Sequence, residues 1–204
     1  LAFYECYGID GMRALDATVD YIRTKYPEIF LIADAKRGDI GNTAKMYAKA
    51  FFEEMDFDAV TIAPYMGADS VTPFLEYKDK WAIVLALTSN ASAYQFQNAQ
   101  KDGKPLYQAV MEEMMEISTP DNMMFVVGAT KADKLEELRS FCPDNFFLVP
   151  GVGAQGGSAE EVIAHGANDH GGLLINSSRG ILFADSTEDF AYVAGKVAAR
   201  TANL

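Results

Sequence analysis

Six short apolar runs punctuate the chain: IFLIADA (29–35), AVTIAP (59–64), AIVLALT (82–88), MFVVGAT (124–130), FFLVPG (146–151) and LLINSS (173–178). They have strand length and almost no polar interruption, the pattern of strands covered on both faces. Helical patterns lie between and around them, over 10–25, 40–55, 69–77, 105–117, 132–140, 158–165 and 187–200. Repeated strand-then-helix order predicts a parallel sheet with right-handed crossovers. The opening residues 1–7 read as the exit from a seventh strand. The longest polar connection, SNASAYQFQNAQKDGKP (89–105), has the length of a functional loop. No linker, repeat or low-complexity tract divides the chain, so a single domain over 1–204 is expected. A doubly wound sheet and a (β/α)8 barrel both fit this order, and both put chemistry at the C-terminal ends of strands.

Composition narrows the partners. The 204 residues are 50% apolar and carry a net charge of −12, ordinary for a globular protein but wrong for one that grips nucleic acid. A small anion is not excluded, because a few local cations outweigh distant charge at physiological screening. Two cysteines, Cys6 and Cys142, make no disulfide framework and read as small buried or half-buried thiols. No apolar run reaches the ~18 residues of a membrane span, and no secretory segment is visible. A cytoplasmic protein without a membrane partner is expected.

Polar residues then stand out where the apolar runs end. In LIADAKRGDI (31–40), strand alternation puts Asp34 and Lys36 on one face. An acid and a lysine directly after an apolar run are costly unless they pair or work, so a structural ion pair and a catalytic pair both remain open. Gly38 permits a turn, and Asp39 stands where it can cap the helix predicted over 40–55. Thr88, Ser89 and Asn90 end another strand with neutral donors and acceptors suited to the edge of a heterocycle, or to a simple turn. VPGVGAQGGS (149–158) contains G-x-G-x-x-G at Gly151, Gly153 and Gly156. A dinucleotide fingerprint belongs to the first strand–helix turn of its fold, whereas this one follows the penultimate run, so an anion site is the better reading. Ser158 and Glu161 form a capping box for the helix that follows. Arg179, just past the last strand, is placed to grip a phosphate, with Gln155 on the preceding loop. His165 and His170 have no third ligand at metal spacing, and no metal is expected.

Taken in order, AFYECYG, DAKRGDI, APYMGADSVTPFL, LTSN, VVGAT, VPGVGAQGG and NSSRGI resemble the orotidine 5′-monophosphate decarboxylase family of the longer bacterial type. DAKRGDI matches that family's D-x-K-x-x-D-I signature. The resemblance implies a (β/α)8 barrel, a homodimer with shared active sites, and decarboxylation of a nucleotide substrate without a cofactor. It implies that Lys36 is the cation and proton donor to C6 of the pyrimidine, flanked by the carboxylates Asp34 and Asp39. Asp39, Ile40 and Thr43 would cross to the partner subunit's site. Ser89, with Asn90 beside it, would meet the pyrimidine amide. Pro150 and Gln155 would close over base and phosphate, and Ser178 and Arg179 would hold the phosphate. Physically, a fixed ammonium beside C6 stabilises the charge that develops as CO2 departs. A carboxylate near the substrate's carboxylate adds repulsion of about 4 kcal/mol at 4 Å and an effective dielectric of 20, relieved when neutral CO2 leaves.

Two departures are visible. The family's first strand carries an aspartate and its second ends in a lysine, and neither is in this chain. The expectation is therefore a barrel whose N-terminal strand or strands precede Leu1. The loop after LTSN reads Ala-Ser where the family suggests a Pro-Gly-like turn. Three other readings stay open: a metal-dependent sugar-phosphate decarboxylase or aldolase of the same superfamily, a non-catalytic pyrimidine-nucleotide binding protein, and a dinucleotide enzyme using the glycine motif.

Overall fold

The computed structural model describes residues 1–128, 132–151 and 158–202. In chain order its elements are α1 (Ala2–Glu5), α2 (Gly8–Lys25), β1 (Ile32–Arg37), α3 (Gly41–Lys49), β2 (Ala59–Ile62), α4 (Thr72–Leu75), β3 (Trp81–Leu87), β4 (Gln100–Lys101), β5 (Lys104–Pro105), α5 (Leu106–Glu116), β6 (Met123–Val127), α6 (Ala132–Phe141), β7 (Phe146–Pro150), α7 (Ala159–Gly166), β8 (Leu173–Asn176), α8 (Arg179–Leu182) and α9 (Phe190–Ala202). Every apolar run expected as a strand is one. The small hairpin β4–β5 was not expected; it turns at Asp102 and Gly103, both at positive φ.

Chain contacts define two compact units, Leu1–Leu85 with Val110–Met124, and Ala86–Ala109 with Phe125–Leu204. In the first, β1, β2 and β3 lie in that order and parallel, with Ala59 opposite Trp81 and Ile62 opposite Val84. The Ala82 amide donates to the Asn122 carbonyl at 3.0 Å, just before β6. All four residues of β2 are buried, as a strand covered on both faces requires. Phe52 and Phe74 pack edge to face, their centroids 6.1 Å apart, and Val60, Ile62 and Met111 are also buried in this unit.

Four expectations change in this unit. Residues 1–7 are helical rather than extended: the Leu1 and Ala2 carbonyls accept amides three and four residues on, which closes the turn α1, while the Leu1 nitrogen donates to the Asp34 carbonyl of β1 at 3.0 Å. Gly11 lets α1 and α2 meet, since a Cβ there would lie 1.8 Å from the Tyr4 carbonyl oxygen. The helix expected over 40–55 is α3 followed by a π-turn, Ala50–Glu54, in which Met55 N–H reaches back to the Ala50 carbonyl at 3.0 Å. The stretch 69–77 holds only a 3-10 turn, Ala68–Ser70, and the single turn α4, with Pro73 near its start. Cys6 is exposed rather than buried, because α1 leaves it on the solvent side with Sγ over the Phe3 carbonyl.

In the second unit, β6, β7 and β8 lie in that order. β7 and β8 are parallel, from Phe147 opposite Leu173 to Pro150 opposite Asn176. Phe125, Phe147, Leu135 and Leu138 are among its buried core. Arg139 organises the far side. Its guanidinium donates to the carbonyls of Gly166, Cys142, Pro143, Asn145 and Gly172 at 2.7–3.0 Å and stacks on the Phe147 ring at 3.9 Å. Burial lowers its pKa, so the carbonyl dipoles hold a charge taken partly out of water. Burial likewise pushes the Cys142 thiol up to about 11, and its Sγ donates to Asn145 Oδ1. The capping box at α7 is present, with Ser158 Oγ accepting the Glu161 amide and Glu161 reaching back to the Ser158 amide. Among the described residues no helix is long and apolar enough to cross a membrane.

Candidate active site

In the first unit the site grows from an irregularity. β1 pairs with β2 regularly up to Ala33 opposite Val60, and resumes with Arg37 opposite Ile62. Between them Asp34, Ala35 and Lys36 face the single residue Thr61, so β1 bulges at the end where polar residues replace the apolar run. Lys36 has φ 47°, the left-handed region that a lysine rarely adopts. The bulge aims two side chains outward: Asp34 and Lys36 are 60% and 53% exposed, while Ala33 and Ala35 are buried. The Lys36 ammonium and the Asp34 carboxylate form a hydrogen-bonded ion pair. Partial burial raises the Asp34 carboxyl, but the hydrogen bond and charge of Lys36, together with the Thr61 hydroxyl, outweigh it and hold it below the usual carboxylate range.

Thr61 escaped the sequence reading. It is fully buried, accepts the Lys36 amide at 2.9 Å and donates to Asp34 Oδ1 at 3.0 Å. A threonine inside the apolar run AVTIAP was the available signal, since a buried polar residue always needs an accounted partner. Asp39 does not cap the helix. Its Oδ1 accepts the Ile40 amide at 2.8 Å, and Ile40, one residue further on, is the helix N-cap without a side-chain bond. The chain turns one residue later than the cap reading required. Ile40 is half exposed, and Thr43 is exposed on the first turn of α3. Arg37 reaches back to Glu5 of α1 in an ion pair and lies over the Phe51 ring, which anchors the residue after the lysine.

In the second unit the polar turn after β3 is ordered by a residue of the long loop. Gln97 accepts the Thr88 amide and donates to Thr88 Oγ1, both at 2.8 Å, and Thr88 Oγ1 bonds Asn90 Oδ1 at 2.6 Å. Thr88 is thus spoken for, while Ser89 and Asn90 follow at the turn. Gly128, after β6, donates its amide to the Leu87 carbonyl at 2.7 Å. A Cβ on Gly128 would lie 2.7 Å from the Ser89 nitrogen, so the glycine is what lets the two strand ends meet. Pro150 ends β7 half-buried. Ser178 precedes α8 with its hydroxyl on Asn176 Oδ1 at 3.3 Å, and Arg179 is exposed with no ion pair among the described residues. Gln155, Gly153 and Gly156 lie outside the described residues.

Parallel strands with helical connections, polar side chains at the C-terminal ends of strands in each unit, and a lysine–carboxylate pair held on a bulge define an α/β protein that carries its chemistry at strand ends. The comparisons with known proteins narrow that class. A model of the orotidine 5′-phosphate decarboxylase / HUMPS family matches residues 1–191. The orotidine 5′-phosphate decarboxylase of Christiangramia forsetii is 55% identical over 195 residues, 96% of this chain and 72% of its own. That of Phocaeicola vulgatus is 55% identical over 199 residues, 97% of this chain and 73% of its own. The structure of Leishmania donovani OMP decarboxylase superposes with a TM-score of 0.84 at 34% identity, over 99% of this chain and 77% of that one. The chain belongs to the orotidine 5′-phosphate decarboxylase family.

Proposed function

We propose that this protein converts orotidine 5′-monophosphate to uridine 5′-monophosphate and CO2, a step of pyrimidine nucleotide synthesis, in the cytoplasm and without a cofactor. The Lys36–Asp34 pair carries the reading: a cation and a carboxylate presented outward at a strand end, in a chain whose similar relatives bear the name of that decarboxylase. The C6–carboxylate bond breaks and its electron pair stays on C6. The Lys36 ammonium stabilises that charge and delivers its proton to C6, so uridine 5′-monophosphate and CO2 leave, and the lysine is reprotonated from water. The Asp34 carboxylate, ionised at neutral pH, orients Lys36 and repels the substrate's carboxylate until CO2 departs. Ser89 and Asn90 hold the pyrimidine edge, Pro150 and Gln155 close over base and phosphate, and Ser178 and Arg179 grip the phosphate. Binding energy from that remote phosphate is then usable at the reacting carbon.

The active form is read as a homodimer, with Asp39, Ile40 and Thr43 reaching the partner's site; the exposure of Ile40 and Thr43 supports this. The direct test is loss of the orotidine absorbance. Wild type is expected to turn over in the presence of a chelator, and Lys36→Ala to be inactive. Turnover that strictly needs Mg2+ would favour a sugar-phosphate enzyme of the wider family instead. Mixing inactive Lys36→Ala with inactive Asp39→Ala subunits is expected to restore activity, because a hybrid dimer gathers both lesions in one site. No recovery after verified subunit exchange would refute shared sites.

A further inference from the structure

We infer that Thr61 is a positioning residue for the Lys36–Asp34 pair, its buried hydroxyl joining the lysine's backbone to the aspartate's carboxylate. The inference rests on the decarboxylase reading only for its kinetic consequence; the bridge itself stands on geometry. At the β1 bulge three residues face one, so the ladder offers Lys36 no regular backbone acceptor on β2. The Thr61 hydroxyl takes that place, accepting the Lys36 amide at 2.9 Å and giving its own proton to Asp34 Oδ1 at 3.0 Å. Asp34 in turn bonds the Lys36 ammonium. One hydroxyl therefore fixes both ends of the lysine, its left-handed backbone and, through Asp34, its charged tip.

The chemistry of the side chain makes it hard to replace. Only a hydroxyl both accepts and donates here in a volume this small; valine fills the same space and does neither. Thr61 is fully buried between Val60 and Ile62, so water cannot take over either bond. Its Oγ1 touches no substrate; it acts through two groups that are proposed to do so. Loss of the bridge frees the lysine to leave its strained conformation, and misplacement of about an ångström at a reacting group costs on the order of 100-fold in rate.

The test compares Thr61→Val with Thr61→Ser in the intact protein. Thr61→Val is expected to lower kcat about 100-fold with KM within about threefold of wild type, and Thr61→Ser to stay within about threefold in both. A kcat loss confined to the variant without a hydroxyl separates positioning from a packing defect, which would fall on both variants and on Tm. A second readout needs no turnover. Carboxyl 13C titration of Asp34, which faces Lys36 on its own strand and Thr61 on β2, is expected to shift to higher pH in Thr61→Val and not in Thr61→Ser. If Thr61→Val does not fold, Thr61→Ala carries both measurements. A folded valine variant with kcat within threefold of wild type, or an unmoved Asp34 titration, overturns the inference. A wild-type protein that leaves orotidine 5′-monophosphate untouched overturns the decarboxylase reading instead, and the titration still decides the bridge.

Discussion

Gly128→Ala puts one methyl group where the second unit has no room, and its effect is calculable. The added carbon would lie 2.7 Å from the Ser89 nitrogen, 3.0 Å from its Cβ and 3.1 Å from its Oγ, whereas ordinary contact begins at 3.4 Å. The nearest of these atoms is backbone, so something must move by roughly 0.7 Å, the gap between those two distances. Gly128 is tied to Leu87 at 2.7 Å, and Thr88 is tied twice to Gln97. The displacement therefore falls on Ser89 and Asn90. The hydrogen bond proposed from Ser89 to the pyrimidine, lengthened by that much, would be effectively lost. That costs about 1–1.5 kcal/mol, roughly tenfold, and misorientation of the substrate extends it towards 100-fold. The expected result is a kcat/KM lower by about 10- to 100-fold, with Tm lowered by several degrees from overpacking of about 1–3 kcal/mol. Steady-state kinetics and thermal unfolding on one preparation measure both. Gly195→Ala is the control: nothing lies within 4 Å of its added carbon inside α9, so activity holds and stability rises by about 1 kcal/mol. A folded Gly128→Ala protein with unchanged kcat/KM would refute the role given to Ser89.

Three further outcomes follow from the same geometry. Arg139→Met removes a guanidinium that serves five carbonyls and a ring, and is expected to cost roughly 3–4 kcal/mol in urea unfolding; a loss under 1 kcal/mol would contradict its structural role. Asp34 titrates below its ordinary 3.8 in the folded state, so its ionised form contributes stability above that pH and the contribution is lost as pH falls through the lower folded value. The difference in urea midpoint between wild type and Asp34→Asn is accordingly widest above about pH 5, begins to narrow at about pH 4 and closes only below the lowered folded value, and a gap independent of pH would disprove the linkage. Lys36→Asn keeps a residue that tolerates positive φ and forfeits only a half-exposed ion pair, so it is expected to lose turnover while unfolding within about 1 kcal/mol of wild type.

How much of this was legible in the chain depended on whether the signal was local. Continuous apolar runs announced all six sheet strands, because a strand buried on both faces has no other way to be written. The capping box at Ser158 and Glu161 was legible for the same reason: both partners lie within one turn. The pairing of Asp34 with Lys36 was anticipated from alternation, yet the structure achieves it through a bulge and a left-handed lysine, which period-two reasoning does not contain. Thr61 and Gln97 were missed because each acts across the sequence, on partners 25 to 27 and 9 residues away. Asp39 was misjudged by a single residue of register at the helix start, within the range where helix boundaries are hardest to place.

The strained lysine links these observations. Among the described residues, four non-glycine positions have positive φ: Lys36, Asp56, Asp79 and Asp102. The three aspartates sit in loops and turns, where a short polar side chain tolerates that conformation. Lys36 lies inside a strand and lacks that excuse, so its backbone costs of order 1–3 kcal/mol and persists only because neighbours over-determine it. Those neighbours stand on both sides. Thr61 holds the Lys36 amide and, through Asp34, its ammonium, while the next residue is fixed by the Arg37–Glu5 pair and by the Ala63 amide, which donates to the Arg37 carbonyl at 2.8 Å. A lysine serving only as half of a half-exposed ion pair gains too little from that pair to justify such strain, since exposed pairs contribute about 0–1 kcal/mol. The strain makes sense if the ammonium must stand at one fixed place before the substrate arrives, because a preorganised charge acts on the transition state without reorganising first.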